Sequence, residues 1–188
     1  EESEPYFKKG QPLLILVPHL ALMEANTVMP FLHSDKELEF GVIYRPFDNP
    51  DIEEWVRKTR ERFRAIMLSR KAGFSKAMGI LREGGNITLL FDQNAGLQGA
   101  LTLFMNRICS STELTGLLVQ KFNAETIAIY PERTGFWKAT IRMEVIPTDK
   151  TAASAVLAAN TWLEDKLKQN EKHCRNWLWL HSRWRNQD

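Results

Sequence analysis

His19 is the residue of this 188-residue chain best placed for proton chemistry, because it closely follows the apolar run Leu13–Val17. Glu24 comes five residues later. Five residues of a regular helix turn through about 500°, so the two side chains would not share a helix face. If His19 lies in a strand-to-helix loop and Glu24 in the first helical turn, the Glu24 carboxylate could contact the His19 imidazole. Such a pair suits general-base catalysis, in which the carboxylate fixes the tautomer and the imidazole takes a proton from an alcohol. The alternative is a structural histidine that is partly buried and hydrogen-bonded.

Apolar blocks alternate with longer amphipathic stretches along the chain, a pattern typical of α/β proteins. Strands are predicted at 13–17, 38–44, 65–68, 86–91, 126–130 and 137–146. Helices are predicted at 24–32, 49–64, 74–82, 111–122 and 152–168. We therefore expect a single α/β domain with a central mixed, mostly parallel sheet of six to seven strands flanked by helices. His19 would lie at the carboxyl ends of the strands, where ligand sites form in open α/β sheets.

Composition excludes several classes of protein. Hydrophobic residues make up 44% of the chain and charged residues 26%, with no signature of disorder. Cys109 and Cys174 are not spaced like metal ligands and are too few for a disulfide scaffold. His33 and His173 have no acids or cysteines at the spacing of metal ligands, so no metal site is expected. No P-loop or GxGxxG motif occurs, so no cofactor is expected. No apolar run reaches the roughly 18 residues of a spanning helix.

Positive charge is concentrated in one stretch although the net charge is only +2. Residues 57–71 include seven basic side chains and the single acid Glu61. Such a cluster suits an acidic or phosphate-bearing partner, and the alternative is a solvated helix face. No nucleic-acid motif accompanies it, so a nucleic-acid partner is not expected.

Three further landmarks follow the His19 box in a fixed order. They are YRP at 44–46, LREGGNITLLFDQNAG at 81–96 and NWLWLHSRW at 176–184. In this order the chain resembles the bacterial lipid A biosynthesis (late) acyltransferases and, through them, the wider glycerolipid acyltransferase superfamily. The resemblance spans about residues 10–186, and its most specific parts are DQNAG and the tryptophan-rich tail.

The resemblance implies an O-acyltransferase that uses acyl carrier protein, or coenzyme A, as the donor carrier. The acceptor would be a hydroxyl of a phosphorylated glycolipid at the cytoplasmic face of the bacterial inner membrane. His19 would be the general base and Glu24 its orienting partner. Arg45, Asp92 and Gln93 would line the acceptor or phosphate side of the pocket. Residues 1–188 would form one acyltransferase domain, with an N-terminal membrane anchor expected upstream of it.

Two surfaces are expected to meet the membrane or the acyl carrier. One is the basic stretch, represented by Arg57, Arg60 and Arg64. The other is the tail, where Trp184 and Arg185 would lie at the lipid boundary. Trp177, Trp179 and Trp184 are read either as core packing or as an interfacial belt, in which Arg183 and Arg185 would meet lipid phosphates.

The chain departs from the family pattern around the histidine. Pro18 and the apolar residues 20–23 replace the usual glycine and the GNW-like stretch, and Asn94 stands where many relatives carry an acid. Two other functions therefore stay open. The same histidine could activate water, which would make the protein an acyl-thioesterase. Alternatively, the protein could be a non-catalytic lipid-binding member of the family.

Overall fold

The computed structural model describes residues 6–7, 10–33, 37–70 and 73–185. Its main sheet has six strands in the order β3-β2-β4-β1-β7-β8, of which only the edge strand β8 is antiparallel to its neighbour. A separate hairpin is formed by β5 and β6. The strands are β1 (Leu13–Val17), β2 (Phe40–Tyr44), β3 (Ala65–Ser69), β4 (Asn86–Leu90), β5 (Ala100–Phe104), β6 (Arg107–Ser111), β7 (Glu125–Gly135) and β8 (Lys138–Val145). The predicted mixed, mostly parallel α/β architecture is confirmed.

Six α-helices connect or flank the strands in the described part of the chain. They are α1 (Met29–Leu32), α2 (Pro50–Glu61), α3 (Phe74–Arg82), α4 (Leu114–Phe122), α5 (Ala152–Gln169) and α6 (Glu171–Asn176). A 3₁₀ helix over Met23–Val28 leads directly into α1, where a single helix over 24–32 was predicted. Helix α2, predicted at 49–64, spans Pro50–Glu61. The side chain of Asn49, just before it, accepts hydrogen bonds from the backbone N–H groups of Asp51 and Ile52.

The two faces of the sheet have different neighbours. Alternate residues such as Leu14 and Leu16 of β1 belong to the larger core, which includes buried side chains of α3, α4 and α5. Their neighbours Ile15 and Val17 point to the other face, since side chains alternate along a strand. Met23 of the 3₁₀ segment, Met29 of α1, Phe7 and Leu38 pack on that second face, and they leave a cavity beside it.

The β5–β6 hairpin was not among the predicted strands. Its turn residues, Met105 and Asn106, both have positive φ, of 53° and 59°. Two consecutive left-handed residues form the tight turn that matches strand twist, and Asn-Gly or Asp-Gly is its usual sequence. Met-Asn carries no such signal, which explains why the sequence pattern did not reveal this turn.

Candidate active site

His19 and Asp92 meet at the carboxyl edge of the sheet. His19 lies just after β1, and Asp92 lies just after the neighbouring parallel strand β4. His19 Nδ1 is 2.5 Å from Asp92 Oδ1, and the backbone N–H of His19 donates to Asp92 Oδ2 at 2.8 Å. One carboxylate therefore fixes both the ring and the backbone of the histidine. Nε2 makes no hydrogen bond with the described residues and is the nitrogen available for chemistry.

Asp92 is buried and remains an anion at neutral pH. Burial by itself acts to raise the pKa of Asp92, but the hydrogen bonds from the His19 ring and backbone and from the indole N–H of Trp177 lower it. The net result is a pKa below the ordinary aspartate value. Trp177 Nε1 donates to Asp92 Oδ2 at 2.7 Å. An anionic Asp92 keeps the proton of the His19 ring on Nδ1, which leaves a lone pair on Nε2.

Glu24 does not contact the His19 ring, although the sequence pattern predicted that it would. Its carboxylate accepts two hydrogen bonds from Arg60 of α2, at 2.5 Å from Nη2 and 3.1 Å from Nε. The structure thus brings His19 together with Asp92 and brings Glu24 together with Arg60. The physical reason is the loop geometry: residues after His19 turn away from the ring before the 3₁₀ helix begins.

The loop after β1 is tied to the C-terminal segment. Leu20 forms a β-bridge with Trp177, the Ala21 N–H donates to the Asn176 carbonyl at 2.8 Å, and the Leu178 N–H donates to the His19 carbonyl at 3.0 Å. Leu22, in the same loop, has a φ of 71°, a left-handed conformation that favours glycine. The tail therefore holds the histidine loop in a strained shape through one β-bridge and two further backbone hydrogen bonds.

Arg183 of the tail is buried among polar groups, and its side chain is only 1% exposed. Nη1 donates to the carbonyls of Gln93 and Ser110, at 2.6 and 2.8 Å. Nη2 donates to Ser111 Oγ and Asn160 Oδ1, at 2.7 and 3.1 Å. The expectation that Arg183 meets lipid phosphates is wrong, because this network holds its guanidinium inside the protein.

His181 is a second imidazole beside the site. Its Nε2 accepts a hydrogen bond from the Asn94 backbone N–H at 2.6 Å, so a neutral ring carries its proton on Nδ1. Burial lowers the pKa of His181, and electrostatic interactions with His19 and Arg183 lower it further, against an opposing effect of Asp92. His181 is thus a neutral imidazole at pH 7 that keeps one N–H for donation.

A cavity of about 740 Å³ opens beside His19, within the range of roughly 300–1,000 Å³ typical of small-molecule sites. Its floor is the incompletely covered face of the sheet. The floor side chains are Ile15, Val17, Phe40, Val42, Ala65, Met67, Thr88 and Leu90. Met23 and Met29 form part of the opposite wall. The interior is therefore mainly apolar and can accept a hydrocarbon chain.

Polar and charged side chains line the same cavity. They include His19, Glu24, Arg45, Arg60, Arg70, Gln93, Asn94 and His181. Arg45 directly follows β2; its side chain is 76% exposed and lies 3.5 Å from the carboxylate of Asp48. Arg45 and Gln93 thus line the same cavity as His19, while Asp92 lies behind the histidine.

The basic stretch is not one uniform face. Arg57 pairs with Glu61 at 2.6 Å, and Lys58 pairs with Glu54 at 2.6 Å, both on α2. Arg60 points toward the cavity, whereas Arg64 donates to the Pro30 carbonyl at 2.8 Å.

Two residues of the tail that were expected at a lipid boundary occupy different environments. Trp184 is partly buried, stacks on Phe104 with ring centroids 5.9 Å apart and donates to the Phe104 carbonyl. Arg185 is exposed, and its carbonyl accepts a hydrogen bond from Asn94. Core packing is therefore the reading that fits Trp184.

Sequence reasoning missed the role of three polar residues of this site. Trp177 and His181 were quoted within the tail motif without a specific contact, and Asn94 was noted only as a departure. The Asn94 side chain donates to carbonyls of Arg183 and Arg185, at 3.1 and 2.9 Å. A signal was present, because DQN and the tail were the most specific motifs of the chain, but only the fold shows that they touch.

Comparison with known proteins gives one match. No curated protein matches the chain. Among the described residues, no helix has the length and apolar character needed to cross a membrane. The sequence model described as Bacterial lipid A biosynthesis acyltransferase matches residues 4–186. Since the match covers nearly the whole chain, including both sides of the His19–Asp92 pair, this protein belongs to the bacterial lipid A biosynthesis acyltransferase family.

Proposed function

We propose that this protein transfers a fatty acyl group from an acyl thioester to a hydroxyl of a phosphorylated glycolipid such as a lipid A precursor. The observation that carries the proposal is the position of His19. Its Nδ1 is held by a buried carboxylate, and its other nitrogen is unbonded beside an apolar cavity. Family membership supports acyl transfer in lipid A biosynthesis, and the donor, acceptor and mechanism are our proposal.

In the proposed reaction, His19 Nε2 takes the proton of the acceptor hydroxyl as its oxygen attacks the thioester carbonyl. The new C–O bond gives a tetrahedral oxyanion, and the C–S bond then breaks. The His19 imidazolium gives its proton to the departing sulfur, which leaves as a thiol, and the enzyme returns to its starting state. Asp92 stabilises the imidazolium between these two steps and fixes the ring orientation.

The acyl chain of the donor is proposed to lie on the apolar floor of the cavity. Arg45, Arg60 and Arg70 line the same cavity and would attract the phosphate of the acceptor. Arg60 already bonds Glu24, so an incoming phosphate would compete with that carboxylate. We propose that Glu24 thereby holds the Arg60 guanidinium in place until the phosphate binds. We also propose that Gln93, which lines the same cavity, contacts the acceptor.

We further propose that acidic acyl carrier protein docks on α2. Arg57 and Lys58 are 40% and 66% exposed there, although each is paired with an acid of the same helix. Arg64 would support this docking indirectly, because its side chain donates to the Pro30 carbonyl and so ties α1 to the residues after α2. The exposed Arg185 remains a proposed membrane contact.

The proposal is tested by supplying a saturated acyl-coenzyme A or acyl-carrier thioester with and without a phosphorylated lipid A precursor. Acylated acceptor should form, and free fatty acid should stay at the level of the enzyme-free control, as measured by mass spectrometry. Fatty acid release that is independent of the acceptor would instead assign a thioesterase. Binding of the thioester without either product would assign a lipid-binding protein.

His181 is expected to stabilise the oxyanion through its Nδ1–H. A His181→Phe variant should lose on the order of 10² in kcat, because one donor to the developing charge is removed. KM for the thioester should change little if this contact forms only in the transition state. His181→Asn, whose amide can also donate, should recover part of the rate. Equal loss in both variants, with a lower melting temperature, would instead assign His181 a purely structural role.

A further inference from the structure

The tip of the β7–β8 hairpin carries two aromatic side chains that nothing in the described structure covers. Phe136 is 80% exposed and Trp137 is 90% exposed, and their rings contact each other edge-to-face with centroids 5.1 Å apart. Large apolar side chains at a protruding tip cost solubility, so they mark a site that meets an apolar partner.

The register of the sheet places this tip on the same side as His19. The last pair between β1 and β7 is Leu16 with Ala128, and the two strands run parallel. Strand β7 then continues to Gly135 in the direction in which β1 ends. At about 3.3 Å per residue, its end lies roughly 20 Å beyond the end of β1. The aromatic tip therefore projects from the carboxyl edge of the sheet, where the cavity and the catalytic histidine lie.

The charged side chains next to the aromatic pair are positive. Arg133 and Lys138 flank the pair, and both side chains are exposed. Arg142, further along β8, is instead paired with Glu132 at 2.9 Å. Aromatic side chains between cations are the arrangement that seats a protein at an anionic lipid surface, with the rings among the headgroups and the cations on phosphates.

A second cavity, of about 790 Å³, lies beside strand β8 of the hairpin. Ala139, Ile141 and Met143 of β8 line it, together with His33 and Arg142. Met29 lines both this cavity and the one beside His19. A lipid that enters near the hairpin would thus meet apolar side chains along its way, which favours a lipid partner over a protein partner.

We propose that the β7–β8 hairpin docks the protein on an anionic lipid bilayer, with Phe136 and Trp137 inserted among the headgroups. In this position the carboxyl edge of the sheet faces the membrane, and the cavity can take up its lipid acceptor. The purpose of the contact rests on the proposed function, but the contact itself is measured without any acyl donor. Failure of one is therefore distinguishable from failure of the other.

The test is sedimentation with vesicles of phosphatidylglycerol and phosphatidylethanolamine. A Phe136→Ser/Trp137→Ser variant should bind at least about tenfold more weakly than the unaltered chain, because the inserted apolar area is lost. Replacing phosphatidylglycerol with phosphatidylcholine should weaken binding of the unaltered chain by about fivefold per cation that contacts the surface. An unchanged melting temperature would show that the double variant is folded.

Trp55→Ser is the matched control, because Trp55 on α2 is also exposed, at 68%, and lies beside the basic stretch. This variant should keep full vesicle binding. The proposal is overturned if the hairpin variant binds as tightly as the unaltered chain, if the unaltered chain does not bind, or if Trp55→Ser causes the larger loss. The last result would assign membrane docking to α2 instead.

Discussion

Replacement of His19 by alanine is expected to lower the rate of acyl transfer by on the order of 10²–10⁴, because the reaction loses its general base. The fold should survive, since the His19 backbone N–H can still donate to Asp92 and its carbonyl can still accept from Leu178. The measurement is acylated product per unit time, together with the melting temperature. Full turnover by a folded variant would remove His19 from the mechanism.

Asp92→Asn identifies which carboxylate serves His19. The side-chain NH₂ of asparagine can donate to Nδ1 of His19 and so favour the tautomer whose proton is on Nε2. In that tautomer Nε2 has no lone pair with which to take a proton. We expect a fall in kcat comparable with that of His19→Ala. Glu24→Gln should act mainly on KM for the phosphorylated acceptor, because its partner Arg60 lines the cavity. An equal fall of kcat in Glu24→Gln would show that Glu24 takes over His19 when substrate is bound.

Arg183→Ala is expected to lower the free energy of unfolding by about 3–5 kcal/mol, because several buried acceptors lose their donor and each costs ~1–3 kcal/mol. These acceptors belong to the loop after β4, to β6 and to α5. The loop that carries Asp92 would loosen with them. Urea unfolding provides the measurement, and Arg183→Lys should restore only part of the loss, since lysine has no planar fork of donors.

The matched control for this prediction is Arg185→Ala. Arg185 lies two residues away and its side chain is exposed. The free energy of unfolding of the Arg185→Ala variant should stay within about 0.5 kcal/mol of that of the unaltered chain. If both variants unfold at the same urea concentration, the buried network around Arg183 contributes little to stability.

Much of the fold could be predicted from the residues. The continuous apolar run of β1 and the period of α3 gave bounds that match the structure at Leu13–Val17 and, for α3, at 74–82. The hairpin of β5 and β6 could not be predicted, because four of the ten side chains of its strands are exposed and its turn lacks glycine. Strand β7 proved longer than the predicted 126–130, since its outer half pairs only with β8 and lies beyond the sheet.

The sequence pattern pointed to His19 but not to the acid that contacts it. The pattern identified His19 through its place after a strand, and strand order at a sheet edge cannot be read from spacing alone. Asp92 is 73 residues from His19 and becomes its neighbour because β4 inserts between β1 and β2. Glu24 is close in sequence but faces Arg60, because the loop turns at Leu22. Proximity along the chain was therefore a poor guide to which acid holds the imidazole.

Because the two faces of the sheet are covered unevenly, neighbouring residues of one strand have different roles. In β1, Leu14 and Leu16 hold the helices in place, while Ile15 and Val17 line the space offered to substrate. In the proposed reaction, a larger side chain at 15 or 17 would shorten the space for the acyl chain. Both residues are also buried in the smaller core, at 3% and 4% exposed, so such a change would alter chain-length selectivity at some cost in stability.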